Sequence, residues 1–565
     1  MTANRQGKKR FFAICIFFFM WIFMIAFRLF DLQVLNYATY KAKVKAQTHR
    51  VEELHSKRGT ITDRNGEILA ISLQSKSAFI SNKDNAHSLA VFNKFCARLP
   101  LSGAQKVAIA KRIRRGEKFI WLKRKLTDEE YQKVLPLASS AETAGAIDFL
   151  DEYRRVYPQK RLASHVLGGV GIDEQALGGI ETSLDAEIKG RGGRLKVLID
   201  ARKRIFQFNY LEQPVPGRDI HLSIDADLQF FVERELAATV EKYQAAGGAV
   251  IVIDSRSGEV LAMASNPDYD PEAIWNTPQA VLKNKAISFL YDPGSTFKIV
   301  LAASALENRA CGRQETFDCH NGVYTIHNRQ ITDVHPFASL SFDDIIVQSS
   351  NIGAAQVGLR LGGEKYFRTI DNFGFGRRTG IRLPAEENGI LHPVQEWSAV
   401  SLAFLSFGYE IAVTPLQMAA AFNVPASGGF YVRPEILRLD ASSAAPERPR
   451  VLSADCGELL TEIMTSVVSR GTGKQAGIGG LEIAGKTGTA RKIKAGRYVA
   501  SYVSSFGGFF PARDPRVTMF VVIDEPKGMY YGGDVAAPVF KTIAEKIMLH
   551  LGIFPGLPAQ NEIVL

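Results

Sequence analysis

The sequence predicts an α+β protein in which one amino-terminal membrane-spanning helix precedes a β-rich region and then a larger domain of antiparallel sheet and helices. Three features carry that expectation. Phe11 to Phe27 is an unbroken apolar run of 17 residues, at the lower edge of the roughly 17–25 that cross a bilayer as a helix. From Thr48 to Gln213, short β-like runs alternate with turn residues. Beyond that, strand-like runs stand at both ends of the remaining chain with apolar helical segments between them, the pattern of an α+β domain.

The anchor comes first. Arg5, Lys8, Lys9 and Arg10 precede the apolar run and no acid lies among the first ten residues, which keeps the amino terminus cytoplasmic and sends the rest of the chain outward. A cleaved signal peptide has an apolar stretch of only about 7–15 residues and a small-x-small site. Here the run ends in Ile25-Ala26-Phe27-Arg28, so an uncleaved anchor over 11–30 after a tail of 1–10 is expected. Leu29 and Phe30 extend the run, and Arg28 to Gln47 contains no Pro or Gly, so the helix continues as a stalk. Outside the cytoplasm there is no ATP, and the chemistry should need no nucleotide.

A stalk and β-rich pedestal are expected over 31–215. Arg58-Gly59-Thr60-Ile61 leads into Asp63-Arg64-Asn65-Gly66, whose Asn-Gly signals a hairpin turn. The charged stretch Lys111 to Lys125 reads as a solvated face. Gln213-Pro214-Val215-Pro216-Gly217 marks a boundary, and 216–565 is read as the larger domain. In it, Leu228 to Tyr243 has helical periodicity, and Ala249 to Ile253 and Val260 to Ala264 form a strand pair around a turn at Asp254 to Gly258. Helices fill much of Ser295 to Ile436, strands recur at Tyr498 to Phe509 and Val517 to Ile523, and a last helix spans Pro538 to Leu551.

Composition narrows the function. With 46% hydrophobic and 22% charged residues, the 565-residue chain is neither a disordered tail nor a miniprotein. Its five cysteines, Cys15, Cys96, Cys311, Cys319 and Cys456, show no CxxC or zinc-ligand spacing. Cys311 and Cys319 are close enough in sequence to pair in an oxidising compartment, but nothing demands it and all five are read as single thiols. His320, His327 and His335 lack supporting ligands, so no metal and no cofactor is expected. The formal charge of +11 suits a nucleic acid or an anionic surface. The anchor selects the surface and excludes nucleic acid.

Three clusters carry chemistry. In Ser295-Thr296-Phe297-Lys298, Pro293-Gly294 breaks the chain and an apolar helix runs on to Leu306, placing Ser295 at the helix start with Lys298 on the same face. A lysine in an apolar, partly cationic site loses its proton near neutral pH and becomes a base toward a serine. Alone, this pattern is more often an N-cap serine beside a surface lysine. Ser349-Ser350-Asn351 adds a second hydroxyl and an amide. Lys486-Thr487-Gly488-Thr489 follows the strand-like Leu481 to Ala484, with glycines that let a ligand or backbone lie close. Asp254 and Asp292 border turns, where aspartate is common for backbone reasons.

SxxK, SxN and KTG in this order are the motif set of penicillin-binding proteins and related β-lactamases, and the chain resembles a class B penicillin-binding protein, a peptidoglycan D,D-transpeptidase of the cell-division FtsI type. The likeness extends to Arg58-Gly59, Asp63 to Gly66, Gly179-Ile180-Glu181, Arg256 to Met263 and Val413 to Gln417. It departs at Glu410, where many relatives carry glycine. No glycosyltransferase region precedes the catalytic domain, which argues against the bifunctional class A. The resemblance implies a transpeptidase fold behind a dimerisation-type pedestal. It also implies catalytic Ser295, Lys298, Ser349 and Asn351, and substrate-binding Lys486, Thr487, Gly488 and Thr489. Ser295 would attack the penultimate D-alanine of a stem peptide and expel D-alanine. Ser349 would relay a proton, Asn351 would hold the substrate amide, Lys486 with Thr487 and Thr489 would bind the terminal carboxylate, and the N–H groups of Ser295 and Thr489 would form the oxyanion hole. Implied partners are peptidoglycan stem peptides, β-lactam antibiotics, an FtsW-type membrane glycosyltransferase and other division proteins, with the catalytic domain outside the bacterial cytoplasmic membrane.

Three alternatives are weighed against this. A β-lactamase or carboxypeptidase would need a water-activating glutamate, for which only Glu386-Glu387 offers itself. An elongation-type transpeptidase would share every motif. A non-catalytic β-lactam sensor or scaffold would be free to lose Ser295, Lys298, Asn351 or Lys486, and all four are present.

Overall fold

In a computed structural model of the chain, residues 3–140, 142–143, 145–199, 205–439, 448–494 and 496–553 are described. They fall into two compact units, Met1–Arg58 with Lys189–Gly217 and Gly59–Ile188 with Arg218–Leu565.

The first unit begins with helix α1 (Ala3–Phe30). Gly7–Leu35 is the one helical stretch among the described residues that is long and apolar enough to cross a membrane, and none of it is buried. Its aromatic surface has no protein partner, as a lipid-facing helix requires. The expected stalk is present but not continuous. A π-helical turn at Asp31–Leu35 intervenes before α2 (Tyr37–Thr48), tied by Arg28 and Asn36, whose side chains both reach Asp31, at 2.8 and 2.6 Å. Strand β1 (His49–Leu54) then pairs with β6 (Gly193–Ile199), which pairs with β7 (Ile205–Glu212), all antiparallel.

In the second unit, β2 (Ile61–Thr62) turns through Asp63 to Gly66 into the long β3 (Ile68–Ser81). The Asp63 carboxylate makes that turn by accepting the N–H groups of Asn65 and Glu67 at 2.8 and 2.7 Å. β4 (Phe119–Leu126) and β5 (Ile147–Val156) flank β3 antiparallel, and the two-residue β8 (Ile220–His221) runs parallel to β2. Three helices, α3 (Asn85–Arg98), α4 (Gly103–Arg114) and α5 (Asp128–Ser139), pack Phe92, Phe95, Ile113 and Val134 against Ile80, Ile120 and Ile147. This region is therefore mixed rather than purely β-like. The capping boxes Ser102/Gln105 and Thr127/Glu130 explain where α4 and α5 start. Arg155 on β5 forms a fully buried ion pair with Glu181 at 2.6 Å.

The large domain is built on five antiparallel strands in the order β10-β9-β17-β16-β15. These are β9 (Gly247–Asp254), β10 (Val260–Asn266), β15 (Ala484–Lys494), β16 (Arg497–Phe510) and β17 (Val517–Asp524). Short strands β11 (Thr316–Asp318) with β14 (Ser339–Ser341) and β12 (Val323–Ile326) with β13 (Arg329–Thr332) form separate pairs. Successive residues of β9 face opposite cores: Val250 and Val252 pack with α6 (Ala226–Lys242), while Ile251 and Ile253 face the helical side. That side holds α7 (Lys298–Glu307), α8 (Phe342–Gln348), α9 (Asn351–Leu361), α10 (Pro415–Ala426) and α11 (Ala454–Arg470). The closing helix α12 (Gly532–Leu551) starts six residues before the expected Pro538. Its first residue is fixed by a tertiary contact, the Gly532 N–H donating to Thr489 Oγ1 at 2.9 Å.

Candidate active site

Ser295 lies in a single 3₁₀ turn, Gly294–Phe297, and the α-helix proper begins at Lys298. The serine thus precedes the helix by one turn instead of occupying its first turn. α7 is buried from Lys298 through Leu306, which explains why its sequence is apolar on every side. Lys298 Nζ lies 3.2 Å from Ser295 Oγ.

The second motif closes around the same amine. α8 ends at Ser349 in the left-handed region, φ 63°, an arrangement of the kind that costs a non-glycine residue free energy and is retained at functional sites. Lys298 Nζ donates to the Ser349 carbonyl at 2.6 Å and to Asn351 Oδ1 at 2.9 Å, and lies 3.3 Å from Ser349 Oγ. Lys486, on β15, donates to Ser349 Oγ at 2.9 Å and to the Thr487 carbonyl at 3.2 Å. One hydroxyl therefore stands between two buried lysines.

Lys486 to Thr489 lie on strand β15 itself, not after a strand ending at Ala484, and β15 is the edge of the sheet. Backbone meets backbone here. A Cβ on Gly488 would lie 2.5 Å from Ser505 Oγ and 2.8 Å from Thr296 Cγ2, and one on Gly294, at φ +56°, would lie 3.1 Å from the Thr489 carbonyl. Gly408 presses on the same turn, since a Cβ there would sit 2.1 Å from the Gly294 carbonyl. Thr487 Oγ1 meets Thr472 Oγ1 at 2.7 Å, and Thr489 Oγ1 accepts from Gly532. The structure brings the three motifs together, with Lys298 touching Ser295, Ser349 and Asn351, Lys486 touching Ser349, and Gly488 lying against Thr296.

Burial sets the charges. Removing Lys298 from water lowers its pKa to about 7, while the carboxylate of Asp333 acts in the opposite sense. Lys486 is also pushed well below its ordinary value, first by burial and then by the neighbouring Lys298. Two buried amines this close do not both hold a proton readily.

The comparisons with known proteins agree with this geometry. Residues 248–545 match the penicillin binding protein transpeptidase domain, and residues 53–222 the penicillin-binding protein dimerisation domain. The chain is 32% identical over 530 residues to the peptidoglycan D,D-transpeptidase FtsI of Escherichia coli K12, covering 91% of this chain and 88% of that one. It is 31% identical over 570 residues to stage V sporulation protein D of Bacillus subtilis, covering 98% and 88%. The crystal structure of penicillin binding protein 3 from Mycobacterium tuberculosis complexed with aztreonam superposes with a TM-score of 0.69 at 26% identity, covering 90% of this chain and 99% of that one. The chain belongs to the class B penicillin-binding proteins. It is a peptidoglycan D,D-transpeptidase with a pedestal of the dimerisation type.

In this penicillin-binding protein, several residues that the motifs leave out support the site. Asp333, just after β13, accepts Ser350 Oγ–H at 2.6 Å and the N–H groups of Asn351 and Ile352 at 2.5 and 3.1 Å. It thereby caps α9 and fixes the second motif. Its only sequence signal is an aspartate in a turn. Asp292 differs from the plain turn residue expected of it: burial raises its pKa to about 6, and Tyr498 Oη donates to it at 3.2 Å. Asp254 does hold a turn, accepting from the N–H groups of Arg256 and Ser257 at 3.0 and 2.8 Å. Glu410, where the resemblance departs, has φ 60°, a left-handed conformation that favours glycine and that this chain meets with a strained residue. Glu386 is buried and accepts from Thr379 N–H, Thr379 Oγ1 and Gly380 N–H at 2.7, 2.6 and 3.1 Å, which engages its carboxylate structurally. All five cysteines are free, including Cys311 and Cys319. Asp225, Asp227 and His550 stand close together, but Asp225 caps α6 and pairs with His550 at 3.0 Å, a structural account that needs no ion.

Proposed function

We propose that this chain cross-links septal peptidoglycan through an acyl-enzyme on Ser295, with Lys298 as the base. What carries the reading is the surroundings of Lys298 Nζ. A neutral amine has two N–H donors and one lone pair. The Ser349 carbonyl and Asn351 Oδ1 take the donors, which leaves the lone pair to the two hydroxyls, Ser295 Oγ at 3.2 Å and Ser349 Oγ at 3.3 Å. The lone pair then removes the serine proton as Oγ attacks the penultimate D-alanine carbonyl. The carbonyl oxygen gains charge beside the N–H groups of Ser295 and Thr489, whose stabilisation typically contributes about 10²–10³ in rate.

Collapse of the tetrahedral adduct breaks the C–N bond. The proton taken by Lys298 passes through Ser349 Oγ to the departing D-alanine amine, since that hydroxyl touches both lysines. The substrate's terminal carboxylate favours the charged form of Lys486, and the repulsion between the two amines then keeps Lys298 neutral. Thr487 and Thr489 add hydroxyl donors. The open edge of β15 suits an extended stem peptide, which adds as a strand with Asn351 at its amide. In the second half, an acceptor amine attacks the ester and gives its proton to Lys298, which returns it to Ser295 Oγ as the ester C–O bond breaks, so that the hydroxyl and the neutral amine are both restored. β-Lactams, which the penicillin-binding domain takes, would stop at the ester.

Glu386, the glutamate the sequence offered as a water activator, is engaged by Thr379 and Gly380, which favours transfer to an amine over hydrolysis. The apolar α1 with its basic preceding residues favours a single-pass protein, amino terminus inside and catalytic domain outside. The anchor and residues 48–213 would meet an FtsW-type glycosyltransferase and other division proteins. Fluorescent penicillin tests the core of the reading: wild type labels and Ser295→Ala does not. Donor and acceptor stem peptides then yield a cross-linked dimer; a shortened monomer alone would mean hydrolysis. Depletion of the protein in cells is expected to give filaments, and spheres would assign it to elongation.

A further inference from the structure

One wall beside the nucleophile turn has no task in the motif chemistry. The Gly294 N–H donates to the Gly408 carbonyl at 3.0 Å, which ties the Tyr409-Glu410 loop to the turn that follows Asp292. From β15, the Arg491 N–H donates to Tyr409 Oη at 3.5 Å, and the Tyr409 and Tyr498 rings meet edge to face with centroids 5.5 Å apart. Tyr498 Oη closes the circuit by donating to Asp292 at 3.2 Å.

Three charges on this wall lack an opposite. Asp292, Glu410 and Arg491 make no ion pair among the described residues, although the next residue, Lys492, is held by Asp524 and Glu525 at 2.6 and 2.8 Å. They lie within one another's fields. Burial raises the Asp292 pKa to about 6 and the Glu410 charge adds to the rise, while the Tyr409 hydroxyl feels both Asp292 and Arg491. Glu410 and Arg491 are exposed to solvent. The chain also accepts a left-handed backbone at Glu410, φ 60°, and carries a carboxylate there.

The direction of the substrate decides what meets this wall. With the terminal carboxylate at Lys486 and Thr487 and the carbonyl under attack at the Thr489 N–H, a peptide extended along the edge of β15 runs on toward Arg491. The residue ahead of the two alanines therefore arrives here. In a stem peptide it is the diamino acid, whose long side chain ends in a free ammonium until it is cross-linked. Asp292 and Glu410 suit that ammonium. Arg491 would repel a bare ammonium, and it is matched when a carboxylate sits on the same carbon.

We infer that Asp292, Glu410 and Arg491 form the subsite for the diamino-acid side chain of the donor stem peptide, and that they select the diaminopimelate type, which ends in an ammonium beside a carboxylate. The inference rests on the transpeptidase reading and names the donor that this site prefers.

The acyl group of a penicillin stands where that diamino acid would stand, so the test varies it. Penicillins with acyl groups of equal length ending in a methyl (hexanoyl), an ammonium (aminohexanoyl), a carboxylate (adipoyl) or both charges (aminoadipoyl) compete with fluorescent penicillin for the full-length chain in detergent. Second-order acylation rates are read from the competition. Wild type should react about tenfold faster with the aminoadipoyl than with the hexanoyl compound, and the advantage should shrink as salt rises. Asp292→Asn/Glu410→Gln should lose the gain that the ammonium brings and keep the gain from the carboxylate; Arg491→Ala should do the reverse. Dividing by each variant's own hexanoyl rate removes any change in the nucleophile turn. No preference in wild type, a preference that survives in both variants, or an equal loss with all the compounds in each variant overturns the inference. Aminohexanoyl reacting as fast as aminoadipoyl in wild type overturns it too, in favour of a lysine-type side chain. A wild type that no penicillin labels would instead sink the acyl-enzyme reading, and this inference with it.

Discussion

Lys298 is governed by two opposed influences, burial lowering its pKa to about 7 and the Asp333 carboxylate raising it. Because only the neutral amine accepts the serine proton, the rate of acylation by a chromogenic β-lactam should climb as pH passes about 7 and level off above it. Asp333→Asn removes the influence that favours the charged form. Its acylation limb should therefore move to lower pH, while the plateau falls because Ser350 and Asn351 lose their carboxylate partner. A limb that moves upward, or a plateau that falls with no movement, would leave Asp333 a purely structural cap. The eight motif residues were legible in sequence because each motif is short and its spacing survives folding. Asp333 was not, since it acts on Ser350 to Ile352 from 17 to 19 residues away. Nor could spacing reveal that Ser349 is left-handed and turns its carbonyl toward Lys298.

Helix α6 carries a titratable element of a different kind. Glu233 Oε1 accepts both the Ala163 N–H at 2.9 Å and Gln229 Nε2 at 2.7 Å. Desolvation, with the nearby Asp268 charge, raises its pKa from 4.5 to about 7. A carboxyl raised on folding contributes fully below about pH 4.5 and loses that contribution as pH rises through 7. Full burial would make such a shift worth about 3 kcal/mol, and partial exposure brings this to roughly 1–2 kcal/mol. Glu233→Gln keeps the accepting oxygen and places an amide where the proton sits. Its melting temperature should exceed that of wild type at pH 8 and equal it near pH 4; equality at both would remove Glu233 as a source of pH dependence. At this scale the strand pairs of the large domain were legible from their β-branched runs. Helices α3 to α5 were not: the end of α4 runs into the charged stretch Lys111 to Lys125, and capping boxes announce α4 and α5 but not α3, which starts at a plain Asp84 cap. The start of α12 at Gly532 was hidden for another reason, since a contact with Thr489 decides it and helix propensity does not.

Across the whole molecule, catalytic groups and the membrane helix are separate features. Replacing residues 11–27 with an unrelated membrane-spanning sequence should leave penicillin labelling unchanged and impair septation, scored as filament formation in cells lacking the native copy. Normal division by such a chimera would mean that the helix contributes attachment alone. The Pro-Val-Pro-Gly break at Gln213 to Gly217 falls where the first unit ends at Gly217, but that unit holds only Met1–Arg58 and Lys189–Gly217, and Gly59–Ile188 groups with Arg218–Leu565. That residues 189–217 return to pair with β1 was not visible, because a ladder between His49 and Leu198 leaves no local trace. The contact of Gly294, Gly408 and Gly488 with neighbouring backbone and side chains has a long-term consequence. A methyl group at Gly408 would run into the Gly294 backbone at 2.1 Å, one at Gly488 would press on Thr296 at 2.8 Å, and Gly294 sits at φ +56°, where any other residue is strained. A substitution there that kept an antibiotic out would disturb the turn that carries Ser295 as well, so it would cost the enzyme its own reaction together with the drug's.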